Sequence, residues 1–107
     1  MHYAQTEPKR AEIDALSGPT VVEFGSPDCG ICRAAEPHIT AAFADHPAVR
    51  RFRVADGSGR PLGRSYRVKL WPTLVFLRDG KEVGRVVRPA SAEPVRQELA
   101  RIDTAAR

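Results

Sequence analysis

Apolar residues fall in short blocks along the chain, and the period of the pattern changes from block to block. Residues 20–25, Thr-Val-Val-Glu-Phe-Gly, are β-branched or aromatic and nearly continuous in apolar character, which predicts a strand covered on both faces. From Cys29 to about Asp45 the period turns helical, with Ile31, Ala34, Ala35, His38, Ile39, Ala42 and Phe43 on helical spacing. Pro37 lies inside that stretch, removes one backbone hydrogen bond and predicts a kink. His46-Pro47 closes it. Residues 49–55 then alternate apolar and basic positions like a strand, and residues 72–77 read as a second buried strand. The Asp79-Gly80 pair predicts a hairpin turn into a strand over 82–87. Ser91 is the expected cap of a last helix that carries Val95, Leu99 and Ile102 on one face. Ahead of the first strand, Pro8 opens a short helix over 9–16, which Ser17-Gly18-Pro19 ends. Residues 61–67 carry a weak helical signal.

The resulting order is helix, strand, helix, strand, helix, strand, strand, helix. A strand–helix–strand unit implies parallel strands, and the second half ends in an antiparallel hairpin and a helix. The expected fold is α/β, a sandwich with a mixed sheet of about four strands and helices on both faces. Residues 1–107 form one domain in this reading, with 1–8 a loose lead-in. Glu23 is the exception in its strand, since its apolar neighbours argue for burial. A carboxylate there loses solvation, which raises its pKa and suits a group that gives and takes protons.

Composition narrows the function. A chain of 107 residues with 42% hydrophobic and 28% charged residues is large enough for a core of its own. No run approaches the roughly 18 apolar residues of a membrane helix. The opening residues have no secretory pattern, so with Met1 as the start the expected location is cytoplasmic. The net charge is +4, and of 17 basic residues only Lys9, Lys69 and Lys81 are lysines. The arginines are scattered, and no aromatic pattern accompanies them, so nucleic-acid binding is not expected. The cluster Arg50, Arg51 and Arg53 reads as a solvated strand face and edge.

Cys29 and Cys32 are the only 2 cysteines. They stand at the start of the long helix, immediately after the first strand and the turn Ser26-Pro27-Asp28. Both sulfurs fall on one helix face. The unpaired N–H groups of a helix N-terminus favour a thiolate, and the Asp28 carboxylate opposes it by a comparable amount. A zinc site needs four ligands, and His38 and His46 give no finger spacing. A haem attachment needs a histidine directly after the second cysteine, where Arg33 stands. Two inert structural thiols are the plain alternative.

Val21-Val22-Glu23-Phe24 leading to Cys29-Gly30-Ile31-Cys32, then Pro37, Trp71-Pro72-Thr73 and Asp79-Gly80, resembles the thioredoxin family over roughly residues 9–105. The resemblance implies a thiol–disulfide oxidoreductase that needs no prosthetic group and no metal. Cys29 is implied as the exposed nucleophile and Cys32 as the buried resolving thiol. Glu23 is implied to exchange protons with Cys32, and Pro72 to be a cis-proline packed against the dithiol. Gly30, Ile31 and Asp28 would shape the site, while Trp71, Pro72, Thr73 and Arg88 would line a groove where an extended substrate pairs with backbone. Implied partners are disulfide-containing proteins and a recycling reductase or other dithiol donor, with the chain acting as a monomer.

Several residues depart from the family's usual pattern. Asp28 replaces a tryptophan, Ile31 a proline, Gly25 another tryptophan and Arg88 a glycine, and the fold's usual first strand is expected to be missing. With no histidine between the cysteines, the expected direction is reduction of substrates. An oxidase or isomerase, and a binding module that uses the groove without the thiols, are the alternatives.

Overall fold

Four strands, β1 (Pro19–Gly25), β2 (Arg50–Ala55), β3 (Thr73–Arg78) and β4 (Lys81–Val87), form one sheet in the spatial order β2-β1-β3-β4. The computed structural model describes residues 3, 4 and 6–103. β1 runs parallel to β2 and antiparallel to β3, and β3 pairs antiparallel with β4. The helices are α1 (Arg10–Asp14), α2 (Gly30–Phe43), α3 (Pro61–Ser65) and α4 (Glu93–Ile102). The expected mixed sheet between helical layers is therefore present.

Alternation along β1 divides the core in two. Val21 points to the face where Ala35, Ile39 and Ala42 of α2 pack with Val95, Leu99 and Ile102 of α4. Val22 and Phe24 point to the other face, against Ile13 of α1, Leu62 of α3 and Tyr66. Both faces of β1 are thus buried, which is why its sequence lacks the polar alternation of a half-exposed strand. Beyond the C-terminal ends of α2 and α4, His46 Nδ1 and Asp103 Oδ2 meet at 2.6 Å in a buried contact that ties the two helices together.

Three element boundaries differ from expectation. α1 is shorter, with Lys9 at its N-cap and its backbone N–H donating to the Glu12 carboxylate. Ala92, not Ser91, occupies the N-cap of α4, and no side chain caps that end. The family's first strand is reduced, among the described residues, to a single parallel bridge between Ala4 and Val54, in which Ala4 N donates to Arg53 O at 2.6 Å. The lead-in is therefore held in part: Glu7 also accepts from the Leu62 amide at 2.8 Å. Residues 1, 2 and 5 of it lie outside the described residues.

The Asp79-Gly80 hairpin is more than a local turn. Both residues take positive φ, 51° and 80°, as a two-residue turn of this type requires. Gly18 N donates to Asp79 Oδ1 at 2.7 Å, and Asp79 N donates to Gly18 O at 3.1 Å, which clasps the turn to the exit of α1. A Cβ on Gly80 would land on the Asp14 carbonyl oxygen. Gly80→Ala combines a left-handed backbone with overpacking and should lower unfolding free energy by about 2–4 kcal/mol in urea titrations. An unchanged midpoint would show that the α1 exit moves away freely.

Candidate active site

The loops that end β1 and begin β3 lie at one end of the sheet, because Phe24 pairs with Thr73. Thr73 also pairs with Val87, which brings the end of β4 and Arg88 to the same place. The strand register alone thus assembles the Cys29–Cys32 loop, Trp71-Pro72 and Arg88.

Cys29 is the N-cap of α2, with extended backbone (φ −88°, ψ 112°), and its Sγ accepts a hydrogen bond from Cys32 N at 3.2 Å. The sulfur therefore takes one of the amides a helix start leaves unpaired, a position that favours negative charge. Both cysteines are free thiols, Cys29 half-buried and Cys32 buried. Burial, with the neighbouring Cys29 thiol, pushes the Cys32 thiol up, and the Ser26 backbone and the Tyr3 phenol pull it partly back. Cys29 is thus the accessible sulfur and Cys32 the sheltered one. The turn before them is fixed by Cys29 N donating to Ser26 O at 3.1 Å and by the Arg33 guanidinium donating to Pro27 O at 2.9 Å. Gly30 starts the helix, Asp28 is exposed to solvent, and Ile31 presents an apolar side chain that is 45% exposed beside the thiols.

The Trp71–Pro72 peptide is cis, as the resemblance implied. Pro72 is buried, and its carbonyl accepts from Arg88 N at 2.9 Å. Arg88 Nε donates to the Trp71 carbonyl at 2.9 Å, so this side chain braces the loop. Its φ of 50° is left-handed, which gives a physical reason for glycine at this point in the family pattern. Trp71 is partly buried and its indole N–H donates to Asp56 at 2.9 Å. Thr73 is a correction. It is buried within β3 and its hydroxyl donates to Leu70 O at 2.6 Å, so its side chain holds the loop and does not line a groove.

Glu23 is 1% exposed, as expected, but it is not an isolated carboxylate. Arg51 Nη2 approaches Oε1 at 2.9 Å and Arg53 Nε approaches Oε2 at 3.3 Å. Both guanidiniums also reach Glu36 on α2, Arg53 Nη2 at 2.6 Å. The reading of these arginines as a solvated face is corrected: only Arg50 of the three is exposed. β2 is an edge strand, yet its 51 and 53 positions point toward α2, where two carboxylates neutralise them. Burial is therefore only part of this carboxylate's environment, since two guanidiniums face it. Among the described residues no hydrogen bond joins Glu23 to Cys32.

Tyr3, Glu36 and Asp56 were not identified from sequence. Tyr3 lies in the segment read as loose, and its ring stacks on Arg53 with the guanidinium carbon 4.5 Å from the centroid. The one signal that pointed to it was Gly25, a missing side chain where the family pattern has a large one. Among the described residues no three His, Cys, Asp or Glu side chains cluster as a metal centre.

Removing one arginine leaves Glu23 buried with half its compensation. Arg53→Met should cost about 2–4 kcal/mol at neutral pH, less than the loss of a sole partner because Arg51 remains. Denaturant titration of Arg53→Met against Arg50→Met, at the exposed position, checks this; equal costs would deny the network its role.

The thioredoxin family profile matches residues 3–101. Thioredoxin of Chlamydia trachomatis is 39% identical over 72 residues, spanning 66% of this chain and 70% of that protein. An H-type thioredoxin of Fagopyrum esculentum is 31% identical over 67 residues, spanning 63% of this chain and 58% of that one. Among solved structures, thioredoxin 2 from Pseudomonas aeruginosa PAO1 in its reduced form superposes with a TM-score of 0.88 at 50% identity, covering 98% of this chain and 97% of that one. A paired dithiol at a helix start, a cis-proline loop beside it and a matching chain course together place this protein in the thioredoxin family of thiol–disulfide oxidoreductases.

Proposed function

We propose that this protein reduces disulfides in other proteins through the Cys29–Cys32 dithiol. The observation that carries the reading is the asymmetry of the pair: Cys29 sits half-exposed at the helix N-cap, and Cys32 lies buried one turn on with its thiol pushed up. The accessible sulfur, which accepts a helix-start amide, is the one that can attack a substrate disulfide. A bond forms between Cys29 Sγ and one substrate sulfur, and the other substrate sulfur leaves with the electron pair. Cys32 then attacks Cys29 Sγ, the second substrate sulfur leaves, and the site becomes a Cys29–Cys32 disulfide. The substrate has gained two electrons, which an external reductase or dithiol donor must return to the site.

Ile31, the backbone at Trp71 and the brace from Arg88 form the surface a substrate meets. An extended segment would pair with backbone before Pro72, with Ile31 supplying apolar contact. Glu23 behind the pair serves the proton exchange that frees Cys32. No helix is long and apolar enough to cross a membrane among the described residues. A cytoplasmic, monomeric reductant recycled by a reductase is the setting that fits this reading.

Insulin-disulfide reduction tests it. The wild type should be active, Cys29→Ser should lose activity altogether, and Cys32→Ser should stall as a mixed disulfide with substrate at Cys29. An inactive wild type that still binds partners, equally in both variants, would sink the redox reading in favour of a binding module. Glu23→Gln, checked for folding, should slow release from the mixed disulfide several-fold with the Cys29 attack unchanged; unaltered release across pH would remove its role.

A further inference from the structure

The fit between Tyr3 and Gly25 carries a further inference. A Cβ on Gly25 would lie 2.5 Å from Tyr3 Oη, 2.9 Å from the ring carbon bearing it, and 3.0 Å from Cys32 Sγ. The phenol and the resolving sulfur therefore share the space that a side chain on Gly25 would fill. Tyr3 reaches this place because the Ala4–Val54 bridge anchors the backbone next to it and its ring lies on Arg53. Its hydroxyl is shielded from solvent and makes no aligned hydrogen bond in the dithiol form. A buried donor without a bond is costly, and the group beside it is the one that gains a negative charge during the reaction.

We propose that Tyr3 belongs to the active site: its hydroxyl, lodged in the gap left by Gly25, donates a hydrogen bond to Cys32 Sγ when that sulfur becomes a thiolate. The inference deepens the disulfide-reductase reading and rests on it for the step at which Tyr3 acts. In that step the bond formed is Cys32 Sγ–Cys29 Sγ and the bond broken is Cys29 Sγ to the substrate sulfur. The leaving sulfur takes the electron pair and picks up the proton that Cys32 gave up. Tyr3 keeps its own proton throughout. Burial, then the Glu23 carboxylate, then the Cys32 thiol hold the phenol well above its ordinary range, which keeps it a donor at every working pH. The charged and titratable groups around the pair are Glu23 on β1, Arg53 on β2 and Cys29 at the start of α2. Tyr3 thus stands between the ion-pair network and the thiol, to which Glu23 makes no hydrogen bond among the described residues.

Tyr3→Phe keeps the ring on Arg53 and removes only the donor. With Cys29→Ser as background, thiolate absorbance reports Cys32 alone, and its midpoint should rise by about one unit in Tyr3→Phe, the loss of one hydrogen bond to a charged group. At a pH below both midpoints that is about tenfold less thiolate, partly offset by about threefold higher nucleophilicity of the more basic sulfur. Release from the mixed disulfide, with Cys29 present, should therefore run about threefold slower near neutrality and about threefold faster once Cys32 is fully ionised. A loss of folded protein alone would slow release at every pH and would not produce that crossover. Gly25→Ala, whose Cβ cannot coexist with the hydroxyl, should give the same rise and guards against a folding defect in the first variant. A Cys32 midpoint that stays put or falls in both variants would overturn the assignment. Because the titration uses no substrate, a rise seen in a protein that fails to reduce insulin would reject the reductase reading and keep the Tyr3–Cys32 contact.

Discussion

The pairing of β1 with its two neighbours is the constraint on which the site depends. β1 is parallel to β2 and antiparallel to β3, so its C-terminal end lies beside the beginning of β3. That end is where Cys29 begins α2 and where the cis peptide precedes Thr73. A slip of one residue in either pairing would turn Glu23 to the opposite face and separate the dithiol from the proline loop. The turn holding Cys29 and the brace from Arg88 refine an arrangement that the register has already made.

Burial on both faces sets the terms for every polar group in that centre. Glu23 is paired inside the sheet because Arg51 and Arg53 project to the same side of β2, two residues apart, and Glu36 comes in from α2 to pair with the same two guanidiniums. Such a cluster adds little net stability over apolar packing, since desolvating the ions offsets most of their attraction. Its consequence is local. The carboxylate and its two guanidiniums adjoin a tyrosine whose ring lies on one of those guanidiniums.

Much of this was legible in the sequence because period and punctuation carry it. The continuous apolar run of β1, the helical spacing after Cys29, the Asp79-Gly80 turn and the Val95, Leu99, Ile102 stripe each report a local rule, and each holds. The environment of Glu23 was not legible, because alternation of arginine with apolar residues in β2 marks a two-sided strand without saying what faces the charged side. The lead-in was misread for a similar reason. One bridge at Ala4 gives no strand pattern, yet it is enough to deliver Tyr3 to the sheet edge. Thr73 illustrates the converse, since it was placed correctly beside the cis-proline while its burial, a property of the sheet, gave its hydroxyl a different partner.

The departures from the family's usual residues are connected through space. Gly25 lacks a side chain and Tyr3 fills the opening, so the loss of bulk in β1 is matched by an aromatic ring from the chain's beginning. Arg88 takes a backbone conformation that glycine adopts freely, and its guanidinium then secures the Trp71 carbonyl. Asp28 and Ile31 leave the dithiol intact while changing its rim, one adding an exposed charge and the other an exposed apolar surface. Each change keeps the two sulfurs where the helix start puts them. What changes is the medium around Cys32 and the surface around Cys29. The first bears on the buried sulfur and the second on the exposed one. The Gly25–Tyr3 exchange at the end of β1 and the Asp28 and Ile31 changes at the start of α2 thus adjoin different sulfurs of one dithiol and leave the helix start that positions both in place.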